Sequence, residues 1–240
     1  MFRNVKFYGK LVLSILAATP ALKKVKRLRA TQGDEKADDY AYHFVKNWAS
    51  ARMKDTGCRI NVHNPENLPE GTVVFISNHL SNLDFGVLLS KIDKPFGFIA
   101  KVELEKIPLL RQWMETINCL FIDRSDMKQQ VKTIISGINL IKKGKSMLIF
   151  PEGTRSRDGK MLDFKAGSFK LATKTNVPIV PLTIMGTSYV LEDNNFKLRP
   201  ADIDLYIHEP VYPDKLTKEE RDNLHTYVRN IVAEPFEGKC

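Results

Sequence analysis

At 240 residues and 43% hydrophobic composition, the chain can bury one sizeable core but is too short for two full domains of ordinary size. Its 37 Lys and Arg against 28 Asp and Glu give a formal net charge of +9, which calls for an anionic partner without separating nucleic acid from phospholipid. Cys58, Cys119 and Cys240 are odd in number and widely spaced, which argues against a disulfide framework or a zinc site and fits a reducing cytoplasm.

The charge is concentrated at the start. Residues 1–33 hold Arg3, Lys6, Lys10, Lys23, Lys24, Lys26, Arg27 and Arg29 and no acid, so this stretch alone carries +8. Among these residues lies the apolar run 11–18, framed by Phe2, Phe7 and Tyr8 and followed by Pro20, well short of the roughly 20 residues a membrane-crossing helix needs. A cleaved secretory signal would share the basic start and the small Ala17 and Ala18. The basic run 23–29 and the cysteine pattern favour instead a helix lying in the headgroup plane of a membrane. Residues 37–53 place Tyr40, Ala41, Phe44, Val45, Trp48 and Ala51 at helical spacing, and Gly57 ends that pattern. Residues 1–56 therefore read as a two-helix membrane-association element with a basic, glycine-containing link, and residues 57–240 as the main domain.

In that domain the strand candidates are 59–62, 72–77, 96–100, 120–122, 147–150, 179–184 and 203–207. Helix candidates are 83–90, 103–116, 127–142, 167–174 and 218–233. Short apolar strands alternating with helices predict an α/β fold, a mixed, largely parallel sheet flanked by helices. In such sheets ligands bind beyond the carboxyl ends of the strands. His79, Lys101, Arg124, and Glu152 with Arg155, each follow one such end.

His79 and Asp84 are five positions apart, so within one regular helix they would point about 140° from each other. They can meet only if His79 sits in the turn between strand and helix, and Asn78 and Ser81 are suited to that turn or to capping. Asp84 could then accept from Nδ1 of His79 and leave Nε2 as a base near neutral pH. The spacing alone equally describes a loop histidine beside a solvated first-turn acid. A second segment, 150–159, follows another apolar run and holds Gly153, Arg155, Arg157 and Gly159 with two hydroxyl residues. Guanidinium groups match phosphate oxygens, and Gly153 permits close backbone approach, though as a lone loop the segment equally describes a turn with solvated arginines. No P-loop pattern is present.

Residues 78–84 match Asn-His-x-Ser-x-x-Asp and residues 150–156 match Phe-Pro-Glu-Gly-Thr-Arg-Ser, in the same order and separation as in the glycerolipid acyltransferases. The blocks 100–104, 121–124 and 177–182 resemble further blocks of that family, so the resemblance covers about residues 59–190. Where the family often has glycine before the Phe-Ile-Asp-Arg block, this chain has Asn118, and asparagine tolerates left-handed backbone well.

The resemblance implies that His79, steered by Asp84, deprotonates the sn-2 hydroxyl of a 1-acylglycerol 3-phosphate. That hydroxyl would attack the thioester of an acyl-CoA or acyl-carrier protein, giving phosphatidic acid. It further implies that Arg124 and Arg155, with Lys101, meet the acceptor phosphate, that Glu152 helps hold the acceptor, and that Gly153 and Thr154 shape the loop. No metal or other cofactor is implied. The expected partners are lysophosphatidate, the acyl thioester and an anionic membrane surface at the cytoplasmic face. Two rivals remain: transfer to another acceptor such as glycerol 3-phosphate, and a catalytically silent lipid-binding membrane protein. A nucleic-acid binder would need a recognisable module, and the chain has none.

Overall fold

The computed structural model describes residues 2–156 and 160–237; Arg157, Asp158, Gly159 and Cys240 lie outside them. The N-terminal region is helical almost throughout: α1 (Phe2–Ala17), α2 (Thr19–Gln32) and α3 (Asp34–Thr56). Three helices thus stand where two joined by a link were expected. The basic run 23–29 lies inside α2, because Lys and Arg are good helix formers and Leu22 and Val25 are buried there. Residues 4–32 are long and apolar enough, by length and composition, to cross a membrane, a property N-terminal signals share; the expected eight-residue run understated them.

Helix α3 ends on Gly57, whose φ of 73° lets its N–H cap the Lys54 carbonyl. Its buried stripe, Ala37, Ala41, Val45, Ala49 and Met53, repeats every fourth residue, while the expected aromatic face is only partly buried. On that face Phe44 stacks on Trp113 at 4.8 Å between ring centres. One hydrophobic cluster joins Phe7, Val25 and Ala41 to Phe75, Leu88 and Ile184, so the N-terminal helices share their core with the sheet.

The rest of the chain continues as β1 (Arg59–His63), β2 (Val74–Ser77), α4 (Asp84–Lys91), β3 (Phe96–Lys101), α5 (Pro108–Thr116), β4 (Leu120–Ile122), α6 (Met127–Lys142) and β5 (Ser146–Ile149). It closes with α7 (Lys170–Thr173), β6 (Ile179–Met185), α8 (Thr187–Val190), β7 (Asp202–Ile207), α9 (Lys218–Asp222) and α10 (Leu224–Glu237). The sheet order is β1-β7-β6-β2-β5-β3-β4, parallel at every pairing except β6 with β7. Alternation along β2 sends Phe75 to the core shared with α3 and α4, and Val74 and Ile76 to a second core with Leu171, Leu224 and Val228. Burial on both faces explains why these strands read as continuous apolar runs.

Three expected helices are shorter or broken. Residues 102–106 form a 3-10 turn because Pro108 holds Ile107 in extended backbone and starts α5 afresh. Residues 166–169 are likewise 3-10 before α7, and Asn223 separates α9 from α10. Asn118 adopts φ 61°, the left-handed conformation a glycine would take, and its carbonyl lies so close to Gly97 that a β-carbon there would collide with it.

Candidate active site

The carboxyl ends of β2, β3, β4, β5 and β6 lie along one edge, with β2 between β5 and β6. Just past β2, Asn78 serves the turn, the first of the two roles open to it, and caps no helix. Its side chain accepts from Ile184 N–H and donates to the Ile184 carbonyl, both at 2.8 Å, which holds the turn against β6. The chain then turns through residues 79–83 before α4 begins at Asp84.

That turn brings the two candidate residues together. Nδ1 of His79 lies 2.7 Å from Oδ2 of Asp84. The same oxygen accepts from Leu80 N–H at 2.8 Å and Ser81 N–H at 2.9 Å, and Oδ1 accepts from the Thr187 hydroxyl at 2.6 Å. With acceptor-only geometry imposed on Asp84, Nδ1 must carry the imidazole proton, which leaves Nε2 with a lone pair. Nε2 makes no hydrogen bond among the described residues. Asp84 is 0% exposed and the His79 side chain 11%, so solvent and substrate can reach the imidazole but not the carboxylate.

Aromatic packing fixes the ring plane. His79 stacks on Phe150 at 4.2 Å between centres and meets Phe85 edge-on at 5.8 Å. Phe85 in turn packs against Phe98. The imidazole therefore has one apolar face and one steering carboxylate, which favours proton transfer at a defined nitrogen over random hydration.

The second segment is tied to the first. Glu152, only 3% exposed, accepts from His79 N–H at 2.7 Å and from Leu162 N–H at 2.9 Å, and Ser156 N–H donates to the His79 carbonyl at 3.0 Å. Both Glu152 oxygens thus accept from backbone groups that tie the two segments together. Burial pushes the Glu152 carboxyl above its ordinary value, opposed by those two N–H donors. Gly153 has φ 74°, in the left-handed region, and Thr154 is exposed beside it.

Of the expected cations, Arg155 is tied to the histidine turn through Glu192. Its Nη1 donates at 2.8 Å to Glu192, whose carboxylate also accepts from Ser81 Oγ at 2.6 Å and Asn82 N–H at 3.0 Å. Lys101 pairs with Glu103 at 2.5 Å, while Arg124 makes no ion pair among the described residues. Arg124 and Gly153 share the rim of a groove of about 600 Å³ lined by Ile99, Ile134 and Ile138 on the α6 side of the sheet. Sequence reasoning missed Thr187 and Glu192. A hydroxyl just past β6 on the functional edge was a usable sign for Thr187; Glu192 has no local pattern that marks it.

A base steered by a buried carboxylate, with one guanidinium group linked to the same turn, is chemically able to activate an alcohol for group transfer. Residues 59–185, more than half of the chain, match the model of the family described as Acyltransferase, and the chain belongs to that family. It is 36% identical over 197 residues to a chloroplastic 1-acyl-sn-glycerol-3-phosphate acyltransferase of Brassica napus, covering 80% of this chain and 55% of the relative, and so spans about half that relative's length. It is 29% identical over 182 residues to the 1-acyl-sn-glycerol-3-phosphate acyltransferase of Borreliella burgdorferi, covering 75% of this chain and 73% of the relative. The crystal structure of the 1-acyl-sn-glycerophosphate acyltransferase PlsC from Thermotoga maritima superposes with a TM-score of 0.84 at 28% identity, covering 99% of this chain and 95% of that one.

Proposed function

We propose that the protein transfers a fatty acyl group from a thioester, acyl-CoA or acyl-carrier protein, to the sn-2 hydroxyl of 1-acyl-sn-glycerol 3-phosphate, producing phosphatidic acid. The observation that carries this reading is the 2.7 Å His79–Asp84 contact, held at the functional edge of an acyltransferase-family sheet. Relatives named 1-acyl-sn-glycerol-3-phosphate acyltransferases support the choice of acceptor.

In this mechanism Nε2 of His79 takes the proton of the acceptor hydroxyl as its oxygen attacks the thioester carbonyl. Asp84 holds Nδ1–H and stabilises the imidazolium that forms. Collapse of the tetrahedral intermediate breaks the carbon–sulfur bond, and the departing thiolate receives the proton from His79. Atoms and charge balance without a metal or redox cofactor. Thiolate leaves readily and the acceptor is itself the nucleophile, so no acyl-enzyme is needed.

Arg155 and Arg124, with Lys101, are assigned to the acceptor phosphate, Arg155 by exchanging its Glu192 partner for the phosphate. Gly153 and Thr154 shape the loop, and Glu152 braces the backbone of His79. The basic, apolar N-terminal helices would rest on the cytoplasmic face of an anionic membrane, each basic residue near that surface contributing about 1 kcal/mol. A matrix of acyl-CoA and acyl-carrier-protein donors against lysophosphatidate, glycerol 3-phosphate and an unphosphorylated lysolipid tests the reading, with His79→Ala as control. Thiol release must depend on His79 and prefer lysophosphatidate; release that is indifferent to either overturns it.

A further inference from the structure

Helix α1 leaves an apolar stripe in solvent: Val5, Tyr8, Val12 and Leu16 fall three or four residues apart and all are exposed, Val5 at 67%. Beyond β6, residues 187–198 carry two more large exposed side chains, Tyr189 at 65% and Phe196 at 50%. This segment is well braced. Phe196 N–H donates to the Leu191 carbonyl at 2.7 Å and Arg199 N–H to the Val190 carbonyl at 2.9 Å. Phe196 nonetheless has φ 57°, a left-handed backbone that bulky residues rarely adopt, and its ring is held outward rather than in the core.

The segment and α1 are joined. The Phe196 carbonyl accepts from the Asn4 amide at 3.0 Å and from the Tyr8 hydroxyl at 3.4 Å, and Leu198 N–H donates to Asn4 Oδ1 at 3.0 Å. At its other side the segment supplies Glu192 to Arg155, Ser81 and Asn82. Partial burial raises the Tyr8 phenol, with the Glu192 carboxylate adding to the effect.

We propose that residues 187–198 form a second lipid-contact surface, on which Tyr189 and Phe196 enter the headgroup region of a phospholipid bilayer beside the α1 stripe. The occupant follows from what surrounds the ridge. It continues the apolar stripe of a segment carrying +8, and that pairing of apolar side chains with flanking cations matches the boundary between anionic headgroups and acyl chains. It also lies on the segment that grips Arg155, where a lysolipid leaving the bilayer would present its phosphate. This last argument rests on the acyltransferase reading; the contact itself does not.

Tryptophan placed singly as Tyr189→Trp, Phe196→Trp and, on α1, Leu13→Trp reports depth in vesicles of phosphatidylethanolamine and phosphatidylglycerol with brominated acyl chains. Emission in excess of the parent's Trp48 and Trp113 should be quenched in all three. Quenching confined to Leu13→Trp overturns the second surface, and quenching of none overturns it together with the N-terminal contact. A Tyr189→Ser/Phe196→Asn variant, asparagine being tolerant of left-handed backbone, should lose about tenfold in vesicle partition. Its apparent KM for vesicle-borne lysophosphatidate should rise in proportion, with turnover of a short-chain, water-soluble acceptor unchanged. Equal loss on both acceptors would mean a structural role and refute the proposal. If the parent releases thiol with no acceptor, the functional reading fails while the quenching result still stands.

Discussion

Replacing Asp84 with asparagine separates the charge of the carboxylate from its geometry. In the parent, Oδ2 receives three donors, His79 Nδ1–H, Leu80 N–H and Ser81 N–H, while among the described residues Oδ1 receives only the Thr187 hydroxyl. An amide NH2 at the Oδ2 position would face two backbone donors, so the amide oxygen must take that place. The NH2 then points to Thr187, whose oxygen can accept. The variant keeps four hydrogen bonds and the Nδ1–H tautomer, and loses only the negative charge.

The expected loss follows from that charge. A hydrogen bond to a charged group contributes about 1.5–3 kcal/mol against about 0.5–1.5 for a neutral one, a difference of about 1–2 kcal/mol. Attraction between unit charges about 4 Å apart, with an effective dielectric constant of about 20, sets an upper scale of about 4 kcal/mol for the imidazolium. The turnover of Asp84→Asn should therefore fall by roughly 10- to 1,000-fold, short of the ~10,000-fold seen when a triad histidine is driven into the wrong tautomer. Thiol release at saturating lysophosphatidate and donor measures it, with thermal melting as a check that the fold is kept. A near-parental rate would show that Asp84 does not stabilise the transition state. A loss equal to that of His79→Ala would show that the backbone donors do not hold the amide oxygen in place.

Asp84→Ala should instead unfold more easily, by several kcal/mol, because Leu80 N–H, Ser81 N–H and the Thr187 hydroxyl are orphaned at about 1–3 kcal/mol each; chemical denaturation measures the shift. Glu152→Gln should cost about 1–3 kcal/mol, since its NH2 must face either His79 N–H or Leu162 N–H. Because burial raises Glu152, the folded protein keeps that proton to higher pH than the unfolded chain. This contribution to stability is present below pH 4.5 and is lost as pH rises through the raised value, a slope that Glu152→Gln should abolish in urea titrations. Burial lowers the His208 imidazole from 6.5 to about 4, so it contributes stability above pH 6.5 that is lost as pH falls toward 4. His208→Gln should flatten that limb. Arg155→Ala should raise KM for lysophosphatidate more than for an unphosphorylated lysolipid, and equal loss on both would remove Arg155 from the phosphate.

The strands were legible because most are buried on both faces, which writes them as unbroken apolar runs, and the functional edge followed from their order. The His79 turn was legible because five residues cannot bring imidazole and carboxylate together inside one helix. Less legible was the reversal at β7, since an isolated apolar run says nothing of strand direction. Lys23 to Arg29 resembles a link by charge, yet Lys and Arg favour helix and Leu22 and Val25 give that helix its buried face. Pro108 was a visible helix start that the expected 103–116 helix overran. Glu192 lay out of reach for a different reason: its hydrogen bond to Ser81 spans 111 residues, and only the folded edge of the sheet makes them neighbours.

The bond between Arg155 and Glu192 bears on selectivity. A carboxylate anchored by its own chain competes at an effective concentration in the millimolar range or above, so dissolved phosphate and nucleotides must outcompete a resident rival. An amphiphile concentrated in two dimensions against the protein suffers far less from that competition. If Arg155 takes the acceptor phosphate as proposed, its guanidinium would be screened from the anions of the surrounding solution and left responsive to one that arrives already confined.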